Sequence, residues 1–325
     1  MKNAFKKLVI SIIVILFLLI PSNFVFANQG SAPNSITLLT GVAGGSWAGI
    51  GAVISEIFRN AGVKSSGESG GGASNVIMVD RMDAELGMCA TTDPPVARKG
   101  EAPYEEKHTD VMGVCMLFQN FVHIMVREDS GVTSIEQLKG KEFASQPVGT
   151  STQAVFSDVL SVYGLSENDL KITRGGQTEG AALVKDKHVV GFTATTAAPS
   201  GTLLEMAQFT PIKILTISSE KAKELSEIND GYVETILPAK TYPGQDEPIT
   251  GVRADTILIV NRNMPEEEVY WISKTLVENL EMLQSAHSTM RNLTVEEMAK
   301  VGGVELHPGA RRYYEENFGV GICDN

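Results

Sequence analysis

Three times in this chain a short strand-like segment runs into a turn rich in glycine or hydroxyl side chains and then directly into a helix. The first of these junctions, over residues 35–47, constrains the fold most. Ser35, Ile36, Thr37, Leu38 and Leu39 read as a short buried strand, being β-branched or apolar for the most part. Gly41, Gly44 and Gly45 let the backbone turn sharply, and Ser46 stands where an N-cap would. Trp47, Ile50, Val53, Ile54, Ile57 and Phe58 follow at helical spacing. Such a junction points unpaired N–H groups and the positive end of a helix dipole into the turn, which suits an anion. A turn that merely packs helix on sheet carries the same residues. The second junction runs from a strand over 62–69 through Gly70, Gly71 and Gly72 into a helix over 73–82. The third passes from Pro147 through Gly149, Thr150, Ser151 and Thr152 into a helix carrying Val155, Val159 and Leu160.

Beyond these junctions the alternation continues. Strands are expected over 83–89, 109–118, 121–126, 141–144, 170–173, 189–193, 212–217 and 256–260, with helices over 179–187 and 200–207 between them. From Pro265 a single long helix is expected, because Val269, Ile272, Leu276, Leu280 and Leu283 keep amphipathic spacing. Helical segments over 295–301 and 310–318 end the chain. The class is α/β, with mostly parallel sheets flanked by helices. Two units of this kind predict two lobes: residues 28–125 plus 253–325 as lobe 1, and 126–252 as lobe 2, with a ligand cleft between them. The strands over 122–126 and 256–260 are expected to join the lobes, and the late helices to pack back onto the first.

The chain begins with Lys2, Lys6 and Lys7, an apolar core over 8–20 and then Pro21, and Val25-Phe26-Ala27 offers small residues for cleavage after Ala27. A cleavable signal peptide over 1–27 and a periplasmic location follow. An uncleaved anchor is the competing reading, since the apolar stretch approaches the roughly 20 residues that a span needs. Loss of three lysines would leave the mature protein more acidic than the formal −12 of the whole chain. So acidic a surface repels phosphate backbones and disfavours nucleic acid, but it leaves room for a small anion held by local N–H groups.

Other chemistries are thinly supported. Cys89, Cys115 and Cys323 match neither zinc nor CxxC spacing; Cys89 and Cys115 read as small buried hydrophobes, with a disulfide between them left open. The five histidines never pair at metal spacing, and His123 in its apolar strand reads as a satisfied core residue. Gly67-Glu68-Ser69-Gly70-Gly71 has the GxSxG nucleophile pattern, which makes a serine hydrolase using Ser69 the sharpest enzyme alternative. Only about two strands precede it, too few for the hydrolase elbow. Arg174 beside Gly175 and Gly176 is either a carboxylate clamp or a solvated loop arginine. No catalytic residue, metal or cofactor is expected.

Gly44-Gly45-Ser46-Trp47, Gly72-Ala73-Ser74-Asn75, Gly149-Thr150-Ser151-Thr152, Tyr242-Pro243-Gly244 and His307-Pro308-Gly309-Ala310 occur in an order that resembles TAXI-type solute-binding proteins, the receptors of one class of TRAP transporters. The resemblance implies a two-lobed periplasmic-binding-protein-like clamp (type II). It also implies capture of a small organic anion (a carboxylate, dicarboxylate or acidic amino acid) by a monomer that delivers it to TRAP membrane permease subunits. A sensing subunit for a membrane kinase is the alternative client. The residues expected to bind ligand are Gly45, Ser46, Trp47, Ser74, Asn75, Thr91, Thr150, Ser151, Thr152 and Pro199. Two departures bear on selectivity: the family usually has tyrosine at Trp47 and commonly glutamine near Ala90. Both exchange polar groups for apolar ones, so a carboxylate with an apolar segment is expected rather than glutamate held through its ammonium group.

Overall fold

The computed structural model describes residues 30–41 and 46–319. The expected leader over 1–27, Gly44, Gly45 and Cys323 lie outside the described residues. The chain opens with β1 (Ser35–Leu39), α1 (Ser46–Asn60), β2 (Lys64–Glu68), α2 (Gly72–Asp80), β3 (Leu86–Ala90), α3 (Asp93–Lys99) and β4 (Val111–Phe118). There follow β5 (Phe121–Arg127), β6 (Glu142–Ser145), α4 (Ser151–Val162), β7 (Lys171–Arg174), α5 (Gln177–Lys185), β8 (Gly191–Thr196), α6 (Gly201–Phe209) and β9 (Ile212–Ile214). Then come α7 (Ser219–Ile228), β10 (Val233–Leu237), β11 (Ile249–Arg253), β12 (Thr256–Asn261), α8 (Glu266–Glu278), α9 (Leu280–Ala286), α10 (Val295–Met298) and α11 (Pro308–Phe318).

Two sheets divide these strands. The first has the order β2-β1-β3-β12-β4, and the second runs β10-β11-β5-β8-β6-β7 with β9 against β5. In the first sheet β1 is parallel to β2 and β3, whereas β12 is antiparallel to both β3 and β4. In the second, β6 is parallel to β7 and β8, but β5 is antiparallel to β8, β9 and β11. The sheets are therefore mixed rather than mostly parallel. Their antiparallel pairings arise largely from the strands that carry the chain from one sheet to the other and back. A chain that leaves a sheet without a crossover helix must re-enter it in the opposite sense.

Those passages are short. Between β4 and β5 stand Gln119 and Asn120, and between β11 and β12 stand Ala254 and Asp255. β5 pairs with strands of the second sheet from Phe121 onward, earlier than the boundary expected at 125/126. β12 pairs from Thr256 onward with β3 and β4. The joining elements are thus two pairs of residues, not the strands themselves.

β3, β4 and β12 are buried throughout, which is why they read as unbroken apolar runs. Leu38, Ile50, Phe58, Val79 and Leu258 share one core with Val269, Ile272, Leu283 and Tyr314, so the C-terminal helices pack on the first sheet. β5 shows the strand period directly: Val122, Ile124 and Val126 enter one core of the second sheet, and Phe121 and Met125 enter another. The long helix expected from Pro265 is broken at Asn279, whose amide donates to Thr275 O at 2.8 Å. An amide that bonds its own preceding turn competes with the helix ladder, and the apolar spacing resumes in α9.

Two of the five resemblance motifs are packing devices. His307 Nδ1 accepts from Gly309 N at 3.2 Å and caps α11, while a Cβ on Gly309 would overlap Glu266 O of α8. Tyr242 Oη lies 2.9 Å from His123 Nε2, and His123 Nδ1 lies 3.3 Å from Ala194 O. Because a carbonyl only accepts, Nδ1 carries the proton and Nε2 accepts from the phenol. Burial pushes His123 down to about 4, so it is a neutral core histidine as the sequence suggests. Gly309→Ala is expected to lower the unfolding free energy by about 1–3 kcal/mol through forced separation of α8 and α11, read by urea denaturation.

Candidate functional site

Both sheets place loops at the carboxyl ends of their parallel strands. On the first sheet these are the segments after β1, β2 and β3, leading into α1, α2 and α3; on the second they are the segments after β6, β7 and β8, leading into α4, α5 and α6. Open α/β sheets place ligands at such edges. The two edges meet: Ser151, at the start of α4, lies with Oγ 3.2 Å from each carboxylate oxygen of Asp93, at the start of α3. Gly72, which opens α2, completes the meeting point. A Cβ there would stand 2.7 Å from Ser151 Oγ and would overlap Asp93 Oδ2, so only glycine lets the three helix starts come this close.

Asp93 lies in the first turn of α3. Its Oδ2 accepts from Ala90 N at 2.9 Å, and burial pushes its carboxyl up to about 6 against the pull of that bond and of Ser151. Tyr104 is 4% exposed, and its hydroxyl has no hydrogen-bond partner among the described residues. Burial, with the charge of Asp93 next in weight, holds that phenol well above its usual range.

The expected ligand residues divide into three groups. Ser74, Thr150, Ser151, Thr152 and Pro199 all stand on the facing edges. Ser74 is exposed and donates to Gly71 O at 2.9 Å. Thr150 caps α4, accepting from Gln153 N at 3.3 Å and donating to Pro147 O at 2.9 Å. Thr152 is half-buried, with a hydroxyl that bonds nothing among the described residues. Pro199 is exposed in the turn between β8 and α6, after a cis peptide. At the opening of α1, Ser46 is exposed, and Gly45 before it is outside the described residues.

The third group is used internally. Asn75 is fully buried: its amide nitrogen donates to Thr40 O at 2.8 Å and Met88 O at 2.7 Å, and its Oδ1 accepts from Gly71 N at 3.0 Å. It pins the ends of β1 and β3 and the glycine turn, which leaves no amide for a ligand. Thr91 is 1% exposed and donates to Gly231 O at 2.7 Å while accepting from Asp255 N at 3.0 Å. Trp47 Nε1 donates to Thr256 Oγ1 at 3.2 Å, so the indole N–H is committed to the joint. Arg174 is neither clamp nor free: it forms a two-pronged pair with Glu167 at 2.9 and 2.6 Å.

Sequence reasoning missed the joint. Asn120 N and Arg253 Nε approach Asp255 Oδ1 and Oδ2 at 3.3 and 3.2 Å, and Asn229 Nδ2 donates to Thr92 O at 2.9 Å. Cβ atoms on Gly231 or Gly303 would overlap Thr91 O. Tight backbone packing of this kind leaves scattered glycines as its only trace in a sequence.

Among the described residues no histidine is hydrogen-bonded to Ser69. Ser69 Oγ is exposed and donates to Gly41 O at 3.3 Å, while His108 pairs with Asp80, His287 with Thr289 and His307 with Arg262 O. Cys89 and Cys115 are both buried free thiols, each raised by desolvation. No helix among the described residues is long and apolar enough to cross a membrane.

The NMT1-like family pattern matches residues 38–317. Among solved structures, XAC2383 from Xanthomonas citri bound to chloride ion is 12% identical at a TM-score of 0.51, covering 87% of this chain and 96% of that one. The same protein bound to ATP is 11% identical at 0.51, over 87% and 95%. The periplasmic aliphatic sulphonate binding protein SsuA from Escherichia coli is 13% identical at 0.47, over 87% and 79%. The fold is α/β and periplasmic-binding-protein-like, two mixed sheets flanked by helices.

Two variants test this division of roles. Asn75→Ala strands three buried backbone groups and should cost about 2–4 kcal/mol of stability in urea denaturation. Asp255 is raised by burial to about 6, against an ordinary value of 3.8, with Arg253 and Asn120 N pulling the other way. The folded state thus holds the proton more tightly, and its stabilising effect is full below pH 4 and lost as pH rises through 6. Asp255→Asn should therefore flatten the fall in unfolding free energy between pH 4 and 7.5 by about 2–3 kcal/mol.

Proposed function

The chain belongs to the NMT1-like family, and from that premise we propose that it is an extracytoplasmic solute-binding protein, a two-lobed clamp that captures a small organic solute and hands it to a membrane permease. The observation that carries this reading is the meeting of the two strand edges at Gly72, Asp93 and Ser151, with the Thr152 hydroxyl and the first N–H groups of α2 and α4 left without intrahelical partners. Lobe 1 comprises the first sheet with the C-terminal helices and lobe 2 the second sheet. They hinge at 119–120 and 254–255.

The helix-start N–H groups suit a carboxylate without a metal ion. XAC2383, whose fold this chain shares, was solved with chloride and with ATP, both anions. The leader supports a periplasmic location. The five ordered motifs that resemble TAXI receptors support TRAP-type permease subunits as partner, and action as a monomer without catalysis. The sensing alternative would keep the same clamp.

Purified mature protein is expected to gain melting temperature with one or more small organic acids or amino acids, binding at one site per chain and returning the solute unchanged. At 100 times Kd the stabilisation is about 2.7 kcal/mol. Turnover of the solute, or no shift across such a panel, would reject the reading.

A further inference from the structure

The carboxylate at the meeting point, Asp93, is bonded by no cation among the described residues. Asp93 receives only neutral donors, Ala90 N and Ser151 Oγ. The arginines nearby are engaged elsewhere: Arg174 with Glu167, Arg98 with Gly303 O at 2.7 Å and Asp230 at 3.3 Å, and Arg253 with Asp255. A solute carboxylate seated against the starts of α2 and α4 would lie beside Asp93, and like charges at such a distance repel. A dicarboxylate or acidic amino acid would add a further negative charge with no partner. Tyr104, 4% exposed, has a hydroxyl with no hydrogen-bond partner among the described residues. Trp47, with its N–H committed to Thr256, presents no donor against an ammonium group and no reason to exclude one.

Resting on the solute-binding reading above, we propose that Asp93 is the specificity-determining residue of the cleft and receives an ammonium group. The solute is then a zwitterion of no net charge, a neutral amino acid or a close relative. Its ammonium replaces Ser151 Oγ as the donor to Asp93, and its carboxylate takes the N–H groups of α2 and α4 with the Thr152 hydroxyl. In the solute-free protein Ser151 fills the ammonium's place, which lets the lobes meet without ligand. Opening the cleft at this point breaks that neutral hydrogen bond.

Calorimetry on the mature protein tests this with alanine and leucine, their desamino counterparts propionate and 4-methylpentanoate, and the pair glutamate and glutarate. At least one neutral amino acid should bind, its desamino counterpart about 100-fold more weakly or not at all, and glutamate more weakly than the neutral acid. Asp93→Asn should lower affinity for the amino acid by about 100-fold or more, whereas Ser151→Ala should leave it within about threefold. If a desamino acid, glutarate or glutamate binds as tightly as the neutral amino acid, or Asp93→Asn keeps full affinity, the role of Asp93 is overturned while the solute-binding reading stands. If no probe binds at all, the role of Asp93 falls together with that reading. The wild-type comparison of amino acid with desamino acid remains decisive if Asp93→Asn does not fold.

Discussion

The hydroxyl of Thr91 is shared between two stretches of backbone on either side of the joint. It donates to Gly231 O, in the segment between α7 and β10, and accepts from Asp255 N, where the chain returns to β12. Thr91 N also donates to Asp255 O at 2.8 Å. One buried residue thus ties the return to the first sheet to the segment before β10, and Gly231 and Gly303 supply the backbone-to-backbone approach that this requires. From this joint follow the places of the other parts. α3 begins two residues beyond Thr91, so the turn that bonds the joint also carries Asp93 to its contact with Ser151.

This coupling explains why several polar residues near the cleft face inward. Asn75, Thr91 and Trp47 sit at the ends of strands or the starts of helices, where sequence logic places ligand contacts. The same positions are where unpaired strand-end carbonyls and turn amides accumulate, and a buried group must satisfy them before a solute arrives. Asn75 does so for Thr40, Met88 and Gly71, and Thr91 for Gly231 and Asp255. What remains at the facing edges is a small set: Ser74, Thr150, Ser151, Thr152 and the carboxylate of Asp93.

The alternation of strands and helices was legible because buried strands such as β3, β4 and β12 are largely apolar, and helices such as α1 keep a clear stripe. β10 and β11 were not foreseen. Val233–Leu237, at a sheet edge, has no polar/apolar alternation and leaves Ile236 exposed, and Ile249–Arg253 is short and follows a breaker-rich loop. Strand direction was hidden as well, since an antiparallel return through two residues leaves no trace in composition. The importance of Asp93 depended on Gly72 and Ser151, which are distant in the chain and meet only after both sheets form. A resemblance motif could point to Ser151, but not to the carboxylate opposite it.

In the proposed clamp, the neutral hydrogen bond between Ser151 and Asp93 gives way as the two sheets part about the joint. Pulsed electron paramagnetic resonance would report it directly, with Ser66 on β2 and Thr178 on α5 each replaced by a spin-labelled cysteine and Cys323 replaced by serine. Both labelled positions are exposed, whereas Cys89 and Cys115 are buried. The account predicts that Ser151→Ala shifts the solute-free distance distribution toward longer separations, and that a bound zwitterion returns it to the short one. Identical distributions for the wild type and Ser151→Ala, unmoved by solute, would contradict it.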